Sequence, residues 1–158
     1  MTDEKKYKAS DIRVISLSEH VFSNPKMYWG TENPSEDDAI DALVEQLKFL
    51  NFDGIKILKS NGWNYVGAPF DWLISGLDVA KNIDDLFKKG WGFPEAGVNS
   101  LRSEFFIYML ADDIALWRNG ELLTIKGACS KLKHSFFEEN FDGYVAIAFR
   151  GNQYHQKN

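Results

Sequence analysis

SEDDAIDALVEQLKFLNFDGIKILKSNGWNYV, residues 35–66, changes its hydrophobic period once, and that change decides the fold. In its first half Ile40, Leu43, Val44, Leu47 and Leu50 recur at helical spacing, which predicts a helix burying one stripe. Pro34-Ser35-Glu36-Asp37-Asp38 starts that helix: Ser35 is the expected N-cap, and the three carboxylates sit favourably against the positive end of the helix dipole. After Asn51-Phe52-Asp53-Gly54 the period becomes that of strands. Ile55 to Leu58 and Trp63 to Val66 flank Asn61-Gly62, a dipeptide suited to the positive φ angles of a type I′ hairpin turn.

Outward from this core the pattern repeats. A short helix is expected from Ser16 to Phe22, stopped by Asn24-Pro25, because the residue before proline is pushed out of the helical region. Leu77 to Phe87 reads as a second helix closed by Lys88-Lys89-Gly90, the stretch 90–94 as a loop, and Val98 to Leu110 as a third helix. Ile114 to Trp117, Asn119-Gly120 and Glu121 to Ile125 form a second hairpin, and Tyr144 to Phe149 a further strand. This order predicts an α+β fold: a two-layer α/β sandwich with a mixed, mostly antiparallel sheet and helices on one face. Residues 1–11, with Lys5, Lys6 and Lys8, read as a flexible polar arm, 12–150 as one domain, and 151–158 as a frayed polar tail.

Composition narrows the class. At 158 residues, 44% of them hydrophobic and 15% aromatic, the chain fills one core and is too short for two ordinary domains. The net charge of −5 comes with scattered lysines and arginines, so no nucleic-acid partner is expected, and the acidity is too slight to mimic DNA. Cys129 is the only cysteine, which excludes an internal disulfide and fits a reducing compartment. No leader opens the sequence and no apolar run reaches the roughly 18–20 residues that span a bilayer, so no membrane partner and a cytoplasmic location are expected.

One further segment carries a resemblance. Asn24-Pro25-Lys26-Met27-Tyr28-Trp29-Gly30, followed by Glu45 on the first long helix, is similar to the start of the ATPase domain of the DNA gyrase B subunit. There an Arg-Pro-Gly-Met-Tyr-Ile-Gly type segment precedes a helix carrying the catalytic Glu and, four residues on, the magnesium-binding Asn. The resemblance covers roughly Val14 to Phe149 and implies the gyrase-B-like ATPase fold shared with Hsp90, histidine kinases and MutL. It also locates four motifs. In the first, Glu45 matches the glutamate that activates water, but Phe49 stands where the metal ligand belongs. In the second, an Asp-x-Gly-x-Gly segment that holds adenine, Ala68 replaces the Asp and Phe70 and Trp72 replace the glycines; Asp71 substitutes only through a register slip. In the third, a glycine-rich lid, Gly90, Gly92 and Gly97 are present, but Trp91, Phe93, Pro94 and Glu95 put bulk and charge where phosphate needs free N–H groups. In the fourth, Gly143-Tyr144 replaces a Gly-Thr pair whose hydroxyl reaches the nucleotide. The resemblance thus implies Glu45 as a vestigial general base, no cofactor and no metal, with Phe49, Phe70 and Trp72 filling or capping the nucleotide space.

The remaining residues are read on their own chemistry. Asp37, Asp41 and Glu45 lie four apart on one helical face, either a solvated face or paired acids. His20, His134 and His155 lack zinc-ligand spacing, and Cys129 has no neighbouring base. Trp117 is expected in the core, whereas Trp72 and Trp91, in loops, are either core or a contact surface for a partner. The expected function is a non-catalytic gyrase-B-like domain acting through an unidentified protein partner or as a homo-oligomer. The alternatives are altered nucleotide or small-ligand binding with weak ATPase activity, and a small immunity- or antitoxin-type protein.

Overall fold

Ser35 caps a helix because its backbone is extended, at φ −116° and ψ 170°, and its hydroxyl accepts the Asp38 N–H, while the Asp38 carboxylate accepts the Ser35 N–H. The computed structural model describes residues 16–50, 53–93, 96 and 100–154. Helix α1 spans Leu17–Ser23, α2 Pro25–Trp29 and α3 Glu36–Phe49. Asn24 ends α1 as expected, and Pro25 then opens α2, where its missing N–H costs nothing at a first helical position. Ala39, Ile40, Leu43 and Leu47 of α3 are buried, each larger side chain stabilising the fold by about 1.5–3 kcal/mol.

Strands β1 (Lys56–Ser60) and β2 (Trp63–Ala68) meet at Asn61-Gly62, with φ of 53° and 83°; β3 (Asp113–Arg118) and β4 (Glu121–Lys126) meet at Asn119-Gly120, with 53° and 73°. Both turns therefore carry the two left-handed residues that their sequence announces. The last strand, β5 (Val145–Arg150), lies between the hairpins and gives the order β1-β2-β5-β3-β4, with every pair antiparallel. Val66 faces Ile147 across β2 and β5, and Leu116 faces Ile147 across β3 and β5.

The sheet is apolar on both sides. Val66, Ala68, Ile114, Leu116, Ile147 and Phe149 join the larger core with α3. Helices α4 (Ile74–Ala80), α5 (Ile83–Lys88) and α6 (Ser103–Leu110) pack on the same side and complete the helical layer. On the other side Trp63, Tyr65, Ala115, Trp117, Ala146 and Ala148 meet α7 (His134–Asn140) through Phe137 and Phe141. This short helix, absent from the sequence reading, departs from helices on one face only.

Three other expectations change. The helix expected over Leu77 to Phe87 is two, because Lys81 turns left-handed at φ 73° and Asn82 caps a new start by accepting the Asp85 N–H at 2.8 Å. The third helix starts at Ser103 because the preceding residues pair instead: Gly92 bridges Leu101, Phe93 N–H donates to Ser100 and Arg102 N–H to Trp91. Val98 lies outside the described residues. The tail is tied down through Tyr154, since Gly151 N–H donates to Glu36, Asn152 donates to Pro34, and Tyr154 is buried against Phe22 and accepts from Trp29. Residues 1–11 and 155–158 lie outside the described residues.

Candidate functional site

Gln46 is the polar member of the apolar stripe of α3, and it is 3% exposed. Its Oε1 accepts the Ser103 N–H at 2.6 Å and the Ser103 hydroxyl at 2.7 Å, and its Nε2 donates to Glu104 Oε1 at 2.9 Å. Glu104, fully buried, takes Arg102 Nη2 at 2.8 Å on the same oxygen and Arg102 Nε at 3.2 Å on the other. Arg102 Nη1 donates to Ser75 at 3.0 Å, and the guanidinium also lies 5.5 Å from the Phe93 ring centroid. Gly76 makes room for it: an added Cβ would meet Arg102 Nε at 2.8 Å and Leu86 at 2.7 Å. The three elements α3, α4 and α6 are thus joined by one ion pair whose hydrogen bonds close on themselves.

Outside this network a groove of about 310 Å³ opens between α2, α3 and the segment before α6, walled by Met27, Tyr28, Glu45, Phe49, Phe93 and Phe106. Glu45 and Phe49, both singled out from the sequence, line this groove, so the other expected residues can be located against it. Glu45 is exposed on the rim. Phe49 is 49% exposed and meets Phe93 edge to face at 6.3 Å. Phe70, also 49% exposed, does not line the groove, and Trp72 is buried, its N–H donating to the Val145 carbonyl at 2.8 Å. The three aromatics therefore do not fill one space. The reading of Trp72 as a contact surface is likewise corrected, because the indole is a core side chain fixed to β5. Trp91 is half-buried, its N–H held by the Asp85 carbonyl at 2.9 Å.

The other motif positions are also engaged elsewhere. Ala68 is fully buried, and Asp71 is paired with Arg118 at 2.7 Å, so neither opens on the groove. In the lid segment the Phe93 and Arg102 N–H groups are spent on the backbone pairing with Ser100 and Trp91. Tyr144 packs on Phe141, on the α7 side of the sheet, away from α3.

Asp37 pairs with Lys59 at 2.5 Å across the surface. His20 Nδ1 shares a hydrogen bond of 2.6 Å with the Tyr28 hydroxyl, and His134 contacts Glu138 and the Gly120 carbonyl. Cys129 is buried beside the Ile114 carbonyl, and burial pushes its thiol up. Among the described residues no group of three or more His, Cys, Asp or Glu is placed to hold a metal ion. Sequence reasoning missed Gln46, Arg102 and Glu104; the one signal was Gln46 itself, which recurs at helical spacing with Leu43 and Ala39 on the buried stripe. No protein-family model and no curated protein matches this chain.

Proposed function

We propose that this chain is a gyrase-B-like domain that does not turn over nucleotide and acts through contact with another protein. The observation that carries the reading is the Gln46–Glu104–Arg102–Ser103 network. At the face of α3 where the resemblance places magnesium and phosphates, the buried polar groups satisfy one another, and Phe49 supplies no oxygen to a metal. The groove outside is rimmed by exposed Met27 and Phe49, residue types enriched at protein interfaces. Its occupant is an apolar side chain of a partner protein.

A second reading, weak hydrolysis through Glu45, is favoured by that carboxylate lining the same groove. Thermal unfolding with and without magnesium–ATP separates them, because a ligand that binds only the folded state raises the melting temperature by mass action. The expected result is an unchanged melting temperature and no phosphate release above buffer. A rise accompanied by turnover that Glu45→Ala abolishes would establish the second reading. Sedimentation of wild type and Phe49→Asp then reads the contact: a monomer throughout leaves the groove to a different protein, and a dimer lost in the variant gives it to a second copy.

A further inference from the structure

Of the five tryptophans, four have their indole N–H fixed inside the molecule, donating to Tyr154, Val145, Asp85 and Phe141 from Trp29, Trp72, Trp91 and Trp117. Trp63 differs. It is 3% exposed, yet its Nε1 has no hydrogen-bond partner among the described residues. Tyr65, two residues on and pointing to the same side of β2, is 4% exposed, and its hydroxyl has none either. No fully enclosed side-chain nitrogen or oxygen among the described residues lacks a partner, so both atoms touch open space. Both rings line a cavity of about 500 Å³ on the α7 side of the sheet, opposite the groove at α3. That volume lies within the range of small-molecule sites, which combine apolar walls with a few convergent polar groups.

The charges at this cavity have one sign in excess. Lys131, Lys133 and Arg150 line it, and neither lysine has an ion-pair partner among the described residues. Arg150 lies with its guanidinium carbon 4.5 Å from the Trp63 ring centroid and donates through Nε to Asp113 at 2.7 Å. Burial pushes the Asp113 carboxyl up, but the hydrogen bonds from Arg150 and the Ala128 N–H outweigh it and hold it below the usual range, so Asp113 cancels one positive charge. The two ammonium groups remain uncompensated. Burial also pushes the Tyr65 phenol up, so its hydroxyl keeps the proton it would donate. Phe136, 4.8 Å from the Tyr65 ring, supplies an apolar wall.

We propose that this cavity binds a small organic anion, a carboxylate or phosphate monoester whose oxygens accept from Trp63 Nε1 and the Tyr65 hydroxyl and whose charge lies among Lys131, Lys133 and Arg150. The inference is independent of the reading at α3. Donors dominate the lining, which selects an acceptor-rich ligand, and partial burial strengthens each charge-assisted hydrogen bond. The same oxyanion chemistry is offered by a free small molecule and by a phosphorylated side chain.

Phenyl phosphate and a phosphotyrosine hexapeptide are titrated into the full chain while the five indole N–H resonances are followed by NMR. The Trp63 resonance is expected to shift and saturate with a Kd below about 1 mM for phenyl phosphate, and to stay still with benzyl alcohol. Tighter binding of the peptide assigns the site to a phosphorylated side chain; equal or weaker binding assigns it to a free molecule. Tyr65→Phe, which keeps the ring and deletes the donor, should weaken binding by about fivefold or more. Lys131→Ser with Lys133→Ser, both exposed and the second offering α7 a favourable N-cap, should leave the fold intact and weaken binding by about tenfold or more. A Trp63 resonance unmoved at about 10 mM phenyl phosphate, or full affinity in the double lysine variant, would overturn the proposal.

Discussion

Glu104→Leu tests the buried network most sharply. Glu104 is fully enclosed and Arg102 is 2% exposed, so the variant leaves a guanidinium in the core with Ser75 as its remaining side-chain acceptor and strands the Gln46 Nε2 that Glu104 had accepted. Stripping one partner from a buried ion pair costs about 3–5 kcal/mol, and an unsatisfied buried donor about 1–3 kcal/mol. The expected loss is therefore about 4–8 kcal/mol, much of the roughly 5–15 kcal/mol by which domains are stable. Arg102→Met combined with Glu104→Leu removes the charge as well as its partner, and only the Gln46 donor stays unsatisfied. That double variant should lose about 1–3 kcal/mol, and so be more stable than Glu104→Leu alone by about 3 kcal/mol or more. Urea unfolding followed by circular dichroism and tryptophan fluorescence measures all three proteins. The reasoning fails if Glu104→Leu costs under about 2 kcal/mol, or if the double variant is no more stable than the single one.

Three other outcomes follow from the same structure. Phe49→Ala should cost under about 1 kcal/mol because its ring is half in solvent, whereas Trp72→Ala should cost about 3–5 kcal/mol through a core cavity; equal costs in urea unfolding would contradict the burial assigned to them. Gly62→Ala, at φ 83° with nothing within 4 Å of the new Cβ, should cost about 1–2 kcal/mol from backbone conformation alone, while Gly67→Ala should cost more because its Cβ would lie 2.8 Å from Ala146 Cβ and Val145 O. The His134 imidazole is held above its ordinary value by the Gly120 carbonyl and then by Glu138. Its contribution to stability is thus fully present below about pH 6.5 and lost as pH rises through the folded-state value. An NMR titration should show that raised midpoint, and His134→Gln should flatten this part of the stability profile.

What the sequence disclosed was whatever a short stretch determines by itself. The N-cap at Ser35 and the two Asn-Gly turns depend on neighbouring backbone alone, and all three form where expected. The break at Lys81 was hidden because a lysine takes a left-handed conformation without a glycine or proline to mark it, although Asn82 with Asp85 was a legible cap. Helix α7 has no side-chain cap at Lys133, and its Phe137 and Phe141 gain meaning only from Tyr65 and Trp117 across the sheet. Arg102 and Glu104 look like solvated charges until Gln46, more than fifty positions earlier in the chain, is brought against them. The cavity at Trp63 is assembled from a hairpin, the stretch leading into α7, the first turn of α7 and the end of β5, so no local pattern records it.

The placement of β5 has a consequence for the order in which the protein is made. The two hairpins are separated by the last of these five strands to be synthesised, and each offers β5 a whole row of backbone donors and acceptors through β2 and β3. Until residues 145–150 emerge, a nascent chain can form either hairpin but cannot join them, and both inner strands stay open to pairing with a neighbouring chain. A released chain that ends before residue 145 should therefore present two hairpins vulnerable to proteases, and restoring the six residues of β5 should convert them together into one resistant sheet.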